Sequence, residues 1–231
     1  MKYDNTQVEH HKIGNVEFIQ FKALLKYEDK LQHAFTLKHG GYSCDNFSTL
    51  NLGLNVGDDT DVVKKNYNLV CDRLNLNYEN LFRGVQIHSD IVKYVNKENC
   101  GTLNKDIAVE CDGSITDMPN IPLVTNSADC MTVLIYDTKN NCVSCVHCGW
   151  QGVLNGIVTK TIKKLVKEFN SNVKNLIVCV CPSICFRCFE VKEDVKQMFD
   201  NTFNYDNTII KKDEQHYMID LQSILFFELF N

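Results

Sequence analysis

A chain of 231 residues, 44% hydrophobic and 23% charged, has the make-up of a globular protein with a sizeable core. Its net charge of −5 and scattered lysines make it a poor non-specific binder of nucleic acid, which rewards clustered cations. The polar opening MKYDNTQVEHHK and the lack of a long apolar run argue against a secretion signal and a bilayer span, so a cytoplasmic location without a membrane partner is expected.

Residues 1–30 read as a peripheral N-terminal segment of a single domain spanning 1–231, with His10 and His11 in a mobile start. Strands are expected at 16–21 and 33–37. The stretch GGYSCDNFSTLNLGLNVGDD, 40–59, is loop-like, and a helix over 61–74 follows with Asp59 or Thr60 as its N-cap. Residues 83–88 and 91–95 read as strands, and Asp112-Gly113 as a turn. Apolar strands follow at 121–125, 131–136 and 142–147. A helix spans 153–169, with apolar residues at helical spacing. Residues 176–180 form a strand, and 191–199 and 221–230 form helices. Buried strands covered by helices make this an α+β protein.

The twelve cysteines include two dense runs, CVSCVHC at 142–148 and CVCPSICFRC at 179–188. Each holds a C-x-x-C pair, at 142/145 and 185/188, so a structural zinc or iron–sulfur site is conceivable. The β-branched, apolar setting favours reduced core cysteines acting as small hydrophobes.

The chemistry concentrates around the DTKN turn, Asp137 to Asn140. A hairpin symmetric about it sets Cys130 opposite His147, with Cβ atoms about 5 Å apart, a separation that suits two ligands on one ion. A helix starting through Gly149-Trp150-Gln151-Gly152 turns free N–H groups toward that end of the hairpin, where a phosphate or developing oxyanion would be stabilised. Of the seven histidines, His88 also ends an expected strand; on pattern alone it reads as a surface or capping residue.

The segments GGYSCDNFSTLNLGLNVGDD, VQIHSDIV, CDGSIT, NSADCMTVLIYD, VHCGWQG, CPSI and CFEVKEDV occur in the order of the motifs of the YfiH/YlmD family, also called the polyphenol-oxidase or laccase-domain family, which the chain resembles over 35–222. The resemblance implies a four-layer α/β/β/α sandwich with mixed sheets. It places His88, Cys130 and His147 on the family's metal ligands, with zinc the usual ion and copper the alternative, and Asp129 on the acid beside the ligand cysteine. Asp129 would act as a proton donor or acceptor, or orient a ligand histidine. Cys130 and His147 would serve in catalysis as well as ligation, and Lys38, Asn51 and Gln151 fall on substrate-binding positions. The implied activity is phosphorolysis of adenosine, inosine and S-methyl-5′-thioadenosine to base and pentose 1-phosphate, with adenosine deamination. The partners are then a purine nucleoside and phosphate, in a monomer or homodimer.

Three family arginines are replaced, by Lys38, Tyr67 and Gln151, and Ser89 and Cys181 stand where the family has Gly. A family segment containing Tyr-Arg-Arg-Asp has no counterpart before Asn231. Loss of a bidentate guanidinium weakens phosphate binding. Three other readings stay open: a copper-dependent phenol oxidase on the same ligands, a metal-free hydrolase with Cys130 as nucleophile and His147 or His88 as base, and a metal-binding scaffold without catalysis.

Overall fold

The computed structural model describes residues 6–230; the first five residues of the expected N-terminal segment, and Asn231, lie outside the described residues. In chain order the elements are β1 (Val8–Ile13), β2 (Val16–Phe21), α1 (Lys22–Leu25), β3 (Phe35–Thr36), α2 (Thr60–Leu74), β4 (Phe82–Arg83), β5 (Val92–Tyr94), β6 (Gly113–Thr116), β7 (Leu123–Val124) and β8 (Met131–Asp137). They continue with β9 (Val143–Cys148), α3 (Trp150–Leu154), α4 (Ile157–Phe169), β10 (Leu176–Val180), β11 (Glu190–Val191), α5 (Glu193–Thr202), β12 (Ile209–Lys211), β13 (Tyr217–Ile219) and α6 (Leu221–Phe230).

A five-stranded mixed sheet of order β10-β8-β9-β6-β5 is the centre of the molecule. Alternation along its strands assigns its two faces. Met131, Val133 and Ile135 of β8 point toward Ile157, Val158 and Leu165 of α4. Leu134 and Tyr136 point the other way, toward Val8 and Phe21 of the β1-β2-β3 sheet. On the far side of that small sheet, Val16 and Phe18 pack against Val70 and Leu74 of α2. The layer order is therefore helix, sheet, sheet, helix, the four-layer α+β arrangement with mixed sheets. Among the described residues no helix is long and apolar enough to cross a membrane.

Several local readings change. The N-terminal segment is not peripheral, because Val16, Phe18 and Ile19 are core residues. His10 and His11 sit on β1, paired with Ile19 and Phe18 of β2. The helix read as starting at 153 is two, since Gly156 adopts φ +66° between α3 and α4. Asp59 caps α2 by accepting from the N–H groups of Asp61 and Val62. Instead of marking a turn, Asp112-Gly113 leads into buried β6, with Asp112 only 1% exposed.

Cys142, Cys145, Cys179 and Cys181 are buried and unpaired, as their apolar setting predicts. Cys145 and Cys179 lie on strands, and the other two lie one residue beyond a strand end. Cys185 and Cys188 depart from the core reading: both are exposed, on a turn.

Candidate metal centre

The ligand positions are set by the β8–β9 hairpin and the segment that precedes β5. His147 pairs with Thr132, not with Cys130, and Met131 pairs with Cys148. The expected register is off by two residues because the loop begins one residue later. Asp137 ends β8, and its carboxylate accepts from the N–H groups of Lys139 and Asn140. Asn141 then turns the chain at φ +55°. A shift of two preserves the face of every side chain, so Cys130, just before β8, still reaches His147 diagonally.

His88 comes from a different element. Residues 83–88 are not one strand: β4 ends at Arg83, Val85 makes a single bridge to Glu110, and the chain bends at His88 with φ +58°. That left-handed conformation is uncommon for a side-chain-bearing residue. It turns the imidazole back onto the hairpin end.

The ligand atoms of His88, Cys130 and His147 all lie within 4.8 Å of one another, with His88 exposed, Cys130 half-buried and His147 buried. The two imidazoles meet edge to face, 5.0 Å between centroids at 86°. Tetrahedral ligands on one zinc stand about 3.3–3.8 Å apart, so closure onto an ion requires side-chain shifts of about 1 Å at most. Gly149 forms the floor. A Cβ there would stand 3.0 Å from His88 Cδ2, 3.3 Å from Cys130 Sγ and 3.5 Å from His147 Cε1. Two imidazoles, a thiol and a cradle cleared of side chain fit a single metal ion with one coordination position left open.

Asp112 organises the centre, and sequence reasoning missed it. Its Oδ1 accepts from the His88 N–H at 3.1 Å and pairs with His147 Nδ1 at 2.8 Å. Its Oδ2 accepts from the N–H groups of Ile87 and Ser89 and from the Ser89 hydroxyl, at 3.2, 2.7 and 2.7 Å. One carboxylate therefore folds the His88 bend and holds His147 with Nε2 toward the other donors. Burial works against the charge of Asp112, and the hydrogen bonds from His147 and Ser89 outweigh it, lowering its pKa to about 2. Burial likewise opposes a charge on His147, but Asp112 and then Cys130 overcome it and raise that pKa to about 9. A second clamp joins the two ligand segments: the Gln86 side chain accepts from the Asn126 N–H at 2.7 Å and donates to its carbonyl at 2.8 Å.

The remaining sequence-derived positions behave differently from one another. Asp129 is exposed at φ +75°, and the carboxylate on a ligand histidine is that of Asp112 instead. Lys38 is exposed, while its carbonyl accepts from Thr49 and Leu50. The Asn51 amide donates to Asp58 at 2.9 Å and accepts from the Gly53 N–H at 2.9 Å, so it braces the 40–59 loop. Gln151 is half-buried, next to Trp150 at the start of the five-residue α3. Tyr67 is buried, its hydroxyl donating to Leu52 O, and Arg83 donates to the same Asn126 side chain that contacts Tyr67.

The family model described as multi-copper polyphenol oxidoreductase laccase matches residues 32–230. The chain is 29% identical to a purine nucleoside phosphorylase of Bacteroides thetaiotaomicron over 84% of this chain and 75% of that one. It is 33% identical to a purine nucleoside phosphorylase of Clostridium acetobutylicum over 72% of this chain and 67% of that one. Among solved structures, the Bacillus licheniformis hypothetical protein YfiH superposes with a TM-score of 0.86 at 26% identity, covering 92% of this chain and 80% of YfiH.

Proposed function

The chain belongs to the multi-copper polyphenol oxidoreductase laccase family, and from that premise we propose that it is a metal-dependent purine nucleoside phosphorylase. Its substrates are adenosine, inosine or S-methyl-5′-thioadenosine with phosphate, and adenosine deamination is a side activity of the same site. The observation that carries the reading is the convergence of His88, Cys130 and His147 on the Gly149 cradle, in a chain similar to proteins named purine nucleoside phosphorylase.

His88, Cys130 and His147 would hold the ion, zinc by the nitrogen–sulfur donor set, with copper the alternative. When bound, it supplies Lewis-acid polarisation at the substrate. Asp112 holds a proton on His147 Nδ1, so the proton a bound ion would displace is the one on Nε2, the nitrogen left to act as ligand.

In phosphorolysis a phosphate oxygen attacks the anomeric carbon, and the glycosidic bond breaks with its electron pair leaving on the base. Asp129, exposed beside Cys130, relays a proton from solvent to the leaving base. In deamination the same carboxylate takes a proton from the water that attacks the purine carbon bearing the amino group and passes it to that group, which leaves as ammonia. Lys38 and Gln151 would bind the phosphate, Lys38 as a point charge without the two-pronged geometry of a guanidinium. Asn51 would act indirectly, through the 40–59 loop that its side chain braces.

The test is incubation of metal-loaded protein with each nucleoside, with and without phosphate, resolving products by chromatography. Free base with pentose 1-phosphate, formed only when phosphate is present, supports phosphorolysis. Inosine from adenosine as sole product restricts the activity to deamination. No turnover by protein of full metal content leaves a metal-binding scaffold.

A further inference from the structure

The pair Cys185 and Cys188 lies outside the metal ligands, and its setting differs from that of every other cysteine. Of the twelve cysteines in the chain, eight are buried, Cys130 is half-buried, and Cys44, Cys185 and Cys188 are exposed. The Sγ atoms of Cys185 and Cys188 stand 3.3 Å apart. A turn fixes this proximity: the N–H groups of Cys188 and Phe189 donate to the Cys185 carbonyl at 2.9 and 3.2 Å. The fold thus presents two solvent-facing thiols already within contact of each other, which closure to a covalent S–S bond of about 2.05 Å requires.

A second metal centre is the competing use of such a pair. Among the described residues the one group of three or more His, Cys, Asp or Glu placed to share an ion is His88, Cys130 and His147. Cys185 and Cys188 supply only two ligands, short of the four that a structural zinc takes.

We propose that Cys185 and Cys188 form a thiol–disulfide exchange site that takes low-molecular-weight disulfides. Cys185 is the attacking thiol. Its pKa is lowered by the adjacent Cys188 side chain and then by the Arg187 N–H, whereas Cys188 is raised by its neighbour. The Cys185 thiolate attacks one sulfur of RS–SR, forming a mixed disulfide and expelling RS⁻, which takes a proton from solvent. The Cys188 thiol gives up its proton and attacks Cys185 Sγ, expelling the second RS⁻, which is protonated in turn. The balance is one protein dithiol and one RSSR in, one protein disulfide and two RSH out. The buried thiols are excluded by access, and burial pushes Cys71 up to about 12 and Cys179 to about 11, so their thiolates are scarce.

The site borders the metal centre without belonging to it. The Ile184 N–H donates to the Asp129 carbonyl at 2.7 Å, tying the start of the cysteine turn to the peptide before Cys130. Phe189, directly after Cys188, lines a recess with Trp150, the residue that follows Gly149.

The proposal does not depend on the assigned activity, and its test needs no substrate. The full-length protein is treated with oxidised glutathione at neutral pH, quenched in acid, unfolded, alkylated and digested with trypsin, which cuts after Arg187 between the two cysteines. The expected product is a disulfide linking peptides 175–187 and 188–192 through Cys185 and Cys188, formed at least about ten-fold faster than any modification of the buried cysteines. Cys44, exposed, is the control and forms only a glutathione adduct. In Cys188→Ser the resolving thiol is gone, and a stable glutathione adduct accumulates on Cys185. The proposal is overturned if Cys44 is glutathionylated while 185 and 188 remain unlinked, if Cys188→Ser leaves Cys185 unmodified, or if elemental analysis finds a second metal that Cys185→Ser removes.

Discussion

Replacing Asp112 by Asn keeps the volume of the side chain and removes one acceptor, and the hydrogen-bond pattern dictates where the damage falls. Oδ2 serves three donors, from Ile87 and twice from Ser89. Oδ1 serves two, from His88 and His147. An amide therefore turns its NH₂ toward the Oδ1 side, where it breaks fewer bonds. There it opposes the His88 N–H, and His147 can accept from it only by moving its ring proton to Nε2, the atom facing the other metal donors. Each hydrogen bond to a buried charged group contributes about 1.5–3 kcal/mol, and two are compromised; with partial relaxation the metal-free protein should lose about 3 kcal/mol of stability. Metal affinity should fall 10–100-fold, the usual effect of removing a carboxylate behind a ligand histidine, or about 1.4–2.7 kcal/mol. Urea unfolding of the metal-free proteins and competition with a chelator measure the two effects separately. Ser89→Ala removes the hydroxyl that donates to Asp112 and accepts from the exposed Ile91 N–H, leaves the four other donors to Asp112 in place, and should lose less than about 1.5 kcal/mol and bind metal as before. Wild-type metal affinity in Asp112→Asn, with stability changed by under about 0.5 kcal/mol, would refute the argument.

Gly149→Ala adds a methyl group 3.0–3.5 Å from all three ligand side chains at a backbone φ of −70°, which alanine adopts freely. Metal affinity should drop about ten-fold or more with little change in fold, since ligand distances tolerate only about 0.2 Å; unchanged affinity by chelator competition would show that the cradle is not needed. Gln151→Arg restores a guanidinium and should lower the KM for phosphate in inosine cleavage at matched metal content, and an unaltered KM would remove residue 151 from phosphate binding. His33 accepts from the Phe21 N–H through Nε2 at 2.8 Å, and burial, followed by the nearby His11, lowers its pKa from 6.5 to about 4. The unfolded chain then binds more protons between those values, so this stability is complete above pH 6.5 and is lost as pH falls toward 4, by about 3 kcal/mol in all. Urea unfolding from pH 7 to 4.5 should show a smaller decline in His33→Gln; parallel declines would exclude His33 as the cause.

Elements with a strong local pattern were legible in the sequence. The strands 16–21 and 176–180 and the helix 221–230 stand where alternation, continuous apolar runs and flanking polar residues put them. The clustering of His88, Cys130 and His147 was legible through resemblance and, for Cys130 and His147, through the hairpin, whose misjudged register did no harm because the error was an even number of residues. Asp112 was not, because Asp-Gly is a strong turn signal and the five donors that justify burying this acid come from residues 87–89 and 147, far away in the chain. The available sign was an acid set directly before a short run of small and β-branched residues, GSIT, which the structure buries completely. Likewise, Cys185 and Cys188 share an apolar neighbourhood with Cys179 and Cys181 in sequence, but Pro182 and the turn carry them out of the sheet.

The central claim, one metal on His88, Cys130 and His147, is tested most directly by elemental analysis of the purified chain beside its Cys130→Ala and His147→Ala variants. The account predicts about one zinc or copper per wild-type chain, and a loss of most of it in both variants while their folding, read by circular dichroism, is retained. Metal-free wild-type protein that takes up neither ion when offered it, or variants that keep the full metal content, would contradict it.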